Sequence, residues 1–397
     1  MTNRQRAYAL LAAVLGLAAG PVAAETPGIT DTEIKIGQNA PFSGPASVYG
    51  QISTAETDYF KMINEQGGIY GRKIVHIALD DAYSPPKSVE VVRRLIEEEQ
   101  VAIMFQTLGT APNTAIRKYI NQKKVPDIWL GSGASVFVSN IKDFPWSIPF
   151  QPSYRLEGQM YAAYILAHKP DAKIGILYQN DDLGRDYVAG MKDGLGAKYD
   201  AMVVKTLSYE LTDPTIDSQV LELKAAGCDL FFDASTPKFS AMTIRKAADL
   251  DWHPLHIIDS NGALVKPALF SAGFDKSVGV ITAQYLKDPT DPQWDNDAGM
   301  KEFQAWRAKY APESDAANPV WTYGYTMAQA LVVVLKQAGP HPTRENIMAA
   351  ATHLPDTTTL PMVLPGIKIS TSPDDYRPMK SMRLVQFDGT MYRLLPD

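Results

Sequence analysis

The chain has 397 residues, 45% hydrophobic and 21% charged, with a net charge of −6. That is ordinary globular composition, and the length suggests two or three domains. The acidic balance excludes a nucleic-acid or anionic-membrane binder by bulk charge, and a single cysteine, Cys228, excludes an intramolecular disulfide.

The N-terminus places Arg4 and Arg6 before an apolar run from Ala7 to Ala19, then Val22-Ala23-Ala24. This is the order of a secretory signal, with cleavage expected after Ala24. The other reading is a membrane anchor, but the run is shorter than the roughly 20 residues a spanning helix needs. Removing residues 1–24 leaves 36 basic against 44 acidic residues, a net charge of −8. An exported chain without disulfides must rest on a large core, and the remaining length suffices for one.

Short β-rich runs then alternate with helical periodicity. EIKIG (33–37) predicts a strand, 50–66 a helix stopped by GGIYG, and KIVHIAL (73–79) the next strand. Residues 88–99 put Val89, Val92, Leu95 and Ile96 on one helical face, with Ser88 as the expected N-cap. VAIMF (101–105), a helix over 110–124 and PDIWLG (126–131) follow. After FPWSIPFQPSY (144–154) the rhythm restarts. Helices over 155–167, 184–195, 217–226 and 237–249 lead into strands at 173–179, 201–209, 228–235 and 255–260. A strand at 278–285, helices near 297–310, 319–338 and 343–352, loops over 354–380 and a strand at 381–389 complete the chain. Strict alternation predicts an α/β fold of two doubly wound parallel-sheet lobes that change over near residue 150. Ligands of such sheets bind beyond the carboxyl ends of the strands. The loops to inspect are therefore 38–49, 80–87, 106–110, 130–135, 179–183, 233–237 and 259–263.

No pattern names a reaction. GSGAS (131–135) lacks the third glycine of a dinucleotide loop, and neither a phosphate-binding G-x-x-x-x-G-K-[ST] nor a G-x-S-x-G elbow occurs. The six histidines show no metal spacing; His253 and His256 flank Pro254 and read as the surface entry to a strand. Cys228, at a strand start, reads as a buried structural thiol. Asp80-Asp81 and Asp181-Asp182 read as solvated loop charge, because neighbours on an extended strand point apart.

One set of segments carries a resemblance. IGQNAPFSGPASVYGQ, I-N-x-x-G-G-I-x-G-R at 63–72, the Asp-Asp with following Pro-Lys at 80–87, QTLGTAPNTAI at 106–116, SGAS at 132–135 and WTYGYTMAQAL at 321–331 resemble the periplasmic solute-binding proteins of ABC importers, branched-chain amino acid type. The likeness runs through essentially all the mature chain. It implies a type I periplasmic binding fold: two lobes joined by a three-stranded hinge, closing over a solute. It places lobe one at 30–153 plus 286–379 and lobe two at 154–285 plus 380–397. It implies a periplasmic monomer with an inner-membrane ABC permease as partner, and no cofactor, metal or nucleic acid.

By that resemblance, Gly109, Thr110 and the loop Ser132, Ala134, Ser135 hold a solute carboxylate, at loops leading into helix N-termini that favour an anion. Tyr49 matches the ring packed over the solute, with Ser43 beside it. Family tyrosines align with Leu183 and Ser235. The family's acidic residue for the solute ammonium aligns with Asn261, which is neutral, with Asp259 two residues away. Carboxylate donors kept and ammonium partner lost suggests an organic acid. Trp129, Phe150 and Tyr154 suggest an aromatic one, with lobe packing as the other reading of those rings. The alternative is a branched-chain or other amino acid; a ligand sensor or an exported enzyme is further off. Tyr83 and Leu108 stand where the family has a disulfide.

Overall fold

The structure, a computed structural model, describes residues 26–396; the expected signal segment 1–24 lies outside the described residues. Among the described residues twelve strands form two sheets. β1 (Glu33–Ala40), β2 (Lys73–Asp80), β3 (Ile103–Phe105), β4 (Asp127–Leu130) and β5 (Ser147–Pro149) make a five-stranded sheet in the order β2-β1-β3-β4-β5, parallel throughout. β6 (Ile174–Gln179), β7 (Val203–Tyr209), β8 (Leu230–Ala234), β9 (Leu255–Ile258), β10 (Ile281–Gln284), β11 (Arg383–Phe387) and β12 (Tyr392–Leu394) make the second, in the order β12-β11-β10-β9-β8-β6-β7.

The second sheet departs from the all-parallel expectation. β6 to β10 are parallel, but β11 runs antiparallel to β10 and turns back into β12. The run 381–389 is thus the first arm of a hairpin closed by Asp388, whose carboxylate accepts from the N–H groups of Thr390 and Met391. A hairpin needs only a short turn, whereas a parallel addition needs a crossover helix.

Helices cover both sheets. Helix Gly50–Glu65 lies against helix Val320–Gln337 over β1 and β3, in one continuous core. Gly324 permits that approach, since a Cβ there would stand 2.5 Å from the Ile52 carbonyl oxygen. Helices Tyr154–His168 and Asp182–Leu195 pair over β6 and β8 in a second core. The chain passes between the sheets after β5, after β10 and before β11.

Several polar readings change in three dimensions. Ser88 is not an N-cap: the helix starts earlier, at Pro85, behind Ser84. Its hydroxyl instead donates to Asp81, which also accepts from Asn39 Nδ2 and Tyr83 N and is fully buried. Asp181 caps helix Asp182–Leu195 through Leu183 N and Gly184 N, so of that pair only Asp182 is a solvated charge. His256 is buried, its ring stacked 4.5 Å from Phe231, because the strand enters the sheet before it. Cys228 is buried as expected, with burial pushing its thiol up.

Candidate functional site

The carboxyl ends of the parallel strands of both sheets face one cavity of about 140 Å³. The loop after β3 shapes its floor. Gly109 adopts φ +102°, and a Cβ there would stand 2.5 Å from the Tyr83 ring, so glycine alone fits. This turn starts helix Thr110–Gln122 against the cavity. Beneath it, Asn113 Nδ2 donates to the carbonyls of Thr107 and Gly109, and Thr107 Oγ1 lies 2.8 Å from Asp127. The loop is therefore fixed from below.

Three hydroxyls converge where that helix begins. Thr110 Oγ1 lies 2.8 Å from Ser132 Oγ, and Thr110 N donates to the Tyr83 hydroxyl at 3.3 Å. The Tyr154 hydroxyl feels both Thr110 and Ser132, while burial pushes its pKa up to about 12. Its one proton goes to Gln151 Oε1 at 3.4 Å, so the Thr110–Ser132 pair is the hydroxyl donor left at this end. Of the first-turn N–H groups, Thr110 N is spent on Tyr83, Pro112 has none and Asn113 N bonds Gly109, which leaves the Ala111 N–H beside these hydroxyls.

The remaining wall is apolar, aromatic and amide. Ile52, Leu108, Leu183, Leu264, Val265 and Val320 line it, with Gln106, Gln151, Ser260 and Asn261 between them. Asn261 ties the lobes together: Tyr49 OH donates to its carbonyl oxygen at 3.1 Å and Gln151 Nε2 to its Oδ1 at 3.2 Å. Further out, Ser135 donates to Asp186, Thr114 to Asp182, and Lys266 pairs with Asp315 at 3.2 Å.

The charged groups nearby are already occupied. Asp259 accepts from the N–H groups of Ser235, Asn261 and Gly262. Burial, with Glu157 and Asp233 nearby, holds it well above the usual carboxylate range. Glu157 accepts from Tyr161, Tyr187 and both donors of Ser260; burial pushes it up and these bonds pull it back. On the wall itself, Asp288 accepts from Thr290, and Lys287 donates to Asp297 and the Pro361 carbonyl. Among the described residues no cluster of His, Cys, Asp or Glu is arranged to hold a metal ion.

Of the residues singled out from the sequence, Tyr49, Gly109, Thr110, Tyr154, Leu183 and Asn261 stand on the wall. Ser132 sits one layer behind Thr110. Ala134 packs in the core of the second lobe, and Ser135 faces Asp186 instead of the cavity. Ser43 turns away to Asp80. Ser235 lies behind the wall, with Ser240 at 2.9 Å from its hydroxyl, and its neighbour Thr236, itself buried, takes the place on the wall. Trp129 and Phe150 are fully buried edge-to-face against each other at 5.0 Å, off the wall, so for these two the packing reading replaces stacking on a solute. Sequence reasoning missed Gln106, Gln151, Ser260, Tyr285 and Tyr323 as wall residues, and took Tyr83 only as a vacated disulfide position.

Residues 33–390 match the family described as periplasmic binding protein. A Brucella suis protein named Leu/Ile/Val-binding protein homolog 7 is 27% identical over 302 residues, 73% of this chain and 74% of that protein. A branched chain amino acid ABC transporter from Thermus thermophilus, solved with bound valine, superposes with a TM-score of 0.81 at 16% identity, covering 93% of this chain and 97% of that one. A fatty acid ABC transporter substrate-binding protein from Thermomonospora curvata gives 0.78 at 19% identity, covering 94% and 93%. At such identities the structural likeness speaks for the fold.

Proposed function

This chain belongs to the periplasmic binding protein family, and we propose that it captures a small solute joining one carboxylate to a branched aliphatic body. It is a solute receptor of the ABC-transporter type, a binding protein rather than an enzyme, and works with a membrane permease. The family implies an exported, periplasmic protein. In this reading the two lobes, divided near 150, 285 and 380, close over the solute by a hinge.

The observation that carries the proposal is the convergence of Thr110, Ser132 and Tyr154 at a helix start, in a cavity also lined by Ile52, Leu108, Leu183 and Val265. Hydroxyls and helix N–H groups suit a carboxylate. An apolar wall with few polar groups suits an aliphatic body. Of the rings that suggested an aromatic body, Trp129 and Phe150 are core, while Tyr154 stays on the wall with Tyr49, Tyr83, Tyr285 and Tyr323.

Two solute classes fit. The relatives' names favour a branched-chain amino acid, the alternative in the sequence reading. The neutral Asn261 and the fully partnered acids around it favour an acid of the same skeleton without the amine, because a buried ammonium needs a partner. A thermal-shift panel of leucine, valine, aliphatic acids and benzoate-type acids tests the proposal, since a native-state binder raises the melting point by mass action. Stabilisation by aliphatic carboxylates is expected; stabilisation only by aromatic acids or by non-carboxylates would overturn it.

A further inference from the structure

The polar half of the cavity is tied to Glu157 by a relay of hydrogen bonds with a fixed direction. Glu157 is 1% exposed and collects four donors. Tyr161 OH and Ser260 N reach Oε1 at 2.6 and 2.7 Å; Ser260 Oγ and Tyr187 OH reach Oε2 at 2.8 and 2.9 Å. Four donors around two oxygens are the environment of an ionised carboxylate, which only accepts. Tyr187 therefore spends its one proton on Glu157, and its oxygen is left to accept from Asn261 Nδ2 at 3.1 Å.

That bond settles how the Asn261 carboxamide points. Its nitrogen faces Tyr187, and its oxygen faces Gln151 Nε2 at 3.2 Å. The oxygen of Gln151 in turn accepts from the Tyr154 hydroxyl at 3.4 Å. Every proton in the series Tyr154, Gln151, Asn261, Tyr187 points toward Glu157, so Tyr154 meets a solute with its ring and leaves the carboxylate to Thr110, Ser132 and the helix start. The Asn261 acceptors are engaged, its side-chain oxygen by Gln151 and its carbonyl by Tyr49. Both donors of Ser260 go to Glu157. What Asn261, a wall residue, still offers to a solute is its second N–H.

We infer that Glu157 is a positioning residue that makes this wall a donor surface, so that the solute carries a neutral acceptor oxygen beside its carboxylate. The class is a branched aliphatic 2-oxo acid, preferred over the 2-amino acid of the same skeleton. The inference rests on the receptor reading above and adds the second polar group of the solute.

The test is calorimetric titration of the mature full chain with 4-methyl-2-oxopentanoate, leucine and 4-methylpentanoate. The wild type is expected to bind the oxo acid about 100-fold more tightly than leucine, the loss from one charged group without a partner. It should bind the oxo acid about tenfold more tightly than 4-methylpentanoate, which leaves the N–H unused. Glu157→Gln no longer accepts four bonds, so the relay loses its direction and the oxo-to-amino ratio should fall at least tenfold. If that variant does not fold, Tyr187→Phe frees Asn261 with the carboxylate intact, and the ratio should fall in the same direction. A merely structural Glu157 would weaken all three acids alike; an unchanged ratio in the folded variant therefore overturns the inference. So does a wild type that prefers leucine, although that result leaves the receptor reading standing. Heat from none of the three overturns both.

Discussion

Replacing Thr110 by valine removes one hydroxyl and keeps the shape. In the folded chain that hydroxyl lies 2.8 Å from Ser132 Oγ, at the head of helix Thr110–Gln122. If it donates to a solute carboxylate, its loss costs about 1.5–3 kcal/mol, the range for a hydrogen bond to a charged group. That is roughly a tenfold to 150-fold weaker affinity. The effect on stability is smaller. Ser132 Oγ still accepts from Ala134 N at 3.2 Å, so the cost of one lost hydroxyl partner is about 1 kcal/mol. In a chain of this size that moves the melting point by only about 1–2 °C. Affinity comes from titration calorimetry and stability from melting of the ligand-free variant. Affinity within twofold of wild type would remove Thr110 from the seat. A loss of affinity matched by a collapse in melting point would make the residue structural.

Gly109→Ala should lower the melting point and the affinity together, because a Cβ there meets the Tyr83 ring at 2.5 Å and φ is +102°; strain of about 1–3 kcal/mol is expected, and an unchanged melting curve would contradict the turn. Asp127 is buried, and burial lifts its carboxyl from 3.8 to about 7. A raised carboxyl is most stabilising below its unfolded value, and that share is lost as pH rises from about 4 through 7; melting of Asp127→Asn should therefore fall less than wild type between pH 5 and 8, and parallel curves would refute this. Lys266 and Asp315 pair across the lobes while both are nearly half exposed, so Lys266→Glu should speed solute release only a few-fold, with salt masking the effect; stopped-flow release should recover in the Lys266→Glu, Asp315→Lys swap.

Much of this architecture is legible in the chain because strands and helices alternate with different periods. The loop at Thr110 is legible for the same reason, standing between a buried strand and a periodic helix. SGAS shows where legibility stops: Ser132 turns to Thr110 and Ser135 to Asp186, a residue of the other lobe. Nothing local separates the two serines. Asp81 looks like surface charge until Asn39 and Ser88 reach it from two other segments. Tyr323 sits in a helix apolar along most of its length, so its ring reads as core although it reaches the cavity. Gln151 follows a three-residue strand too short to announce itself, and its partner Asn261 is 110 positions away. The hairpin of β11 and β12 is hidden because a single β-rich run does not state its direction.

The claim that a carboxylate seats at the start of helix Thr110–Gln122 is tested most directly with a matched pair of solutes. The acid that stabilises the mature chain most in the thermal panel is titrated beside its primary amide, which has the same skeleton without the charge. Loss of at least a hundredfold in affinity for the amide is expected, since hydroxyl and N–H donors then face a neutral group and one of its own N–H donors. Equal affinity for acid and amide would contradict the seat.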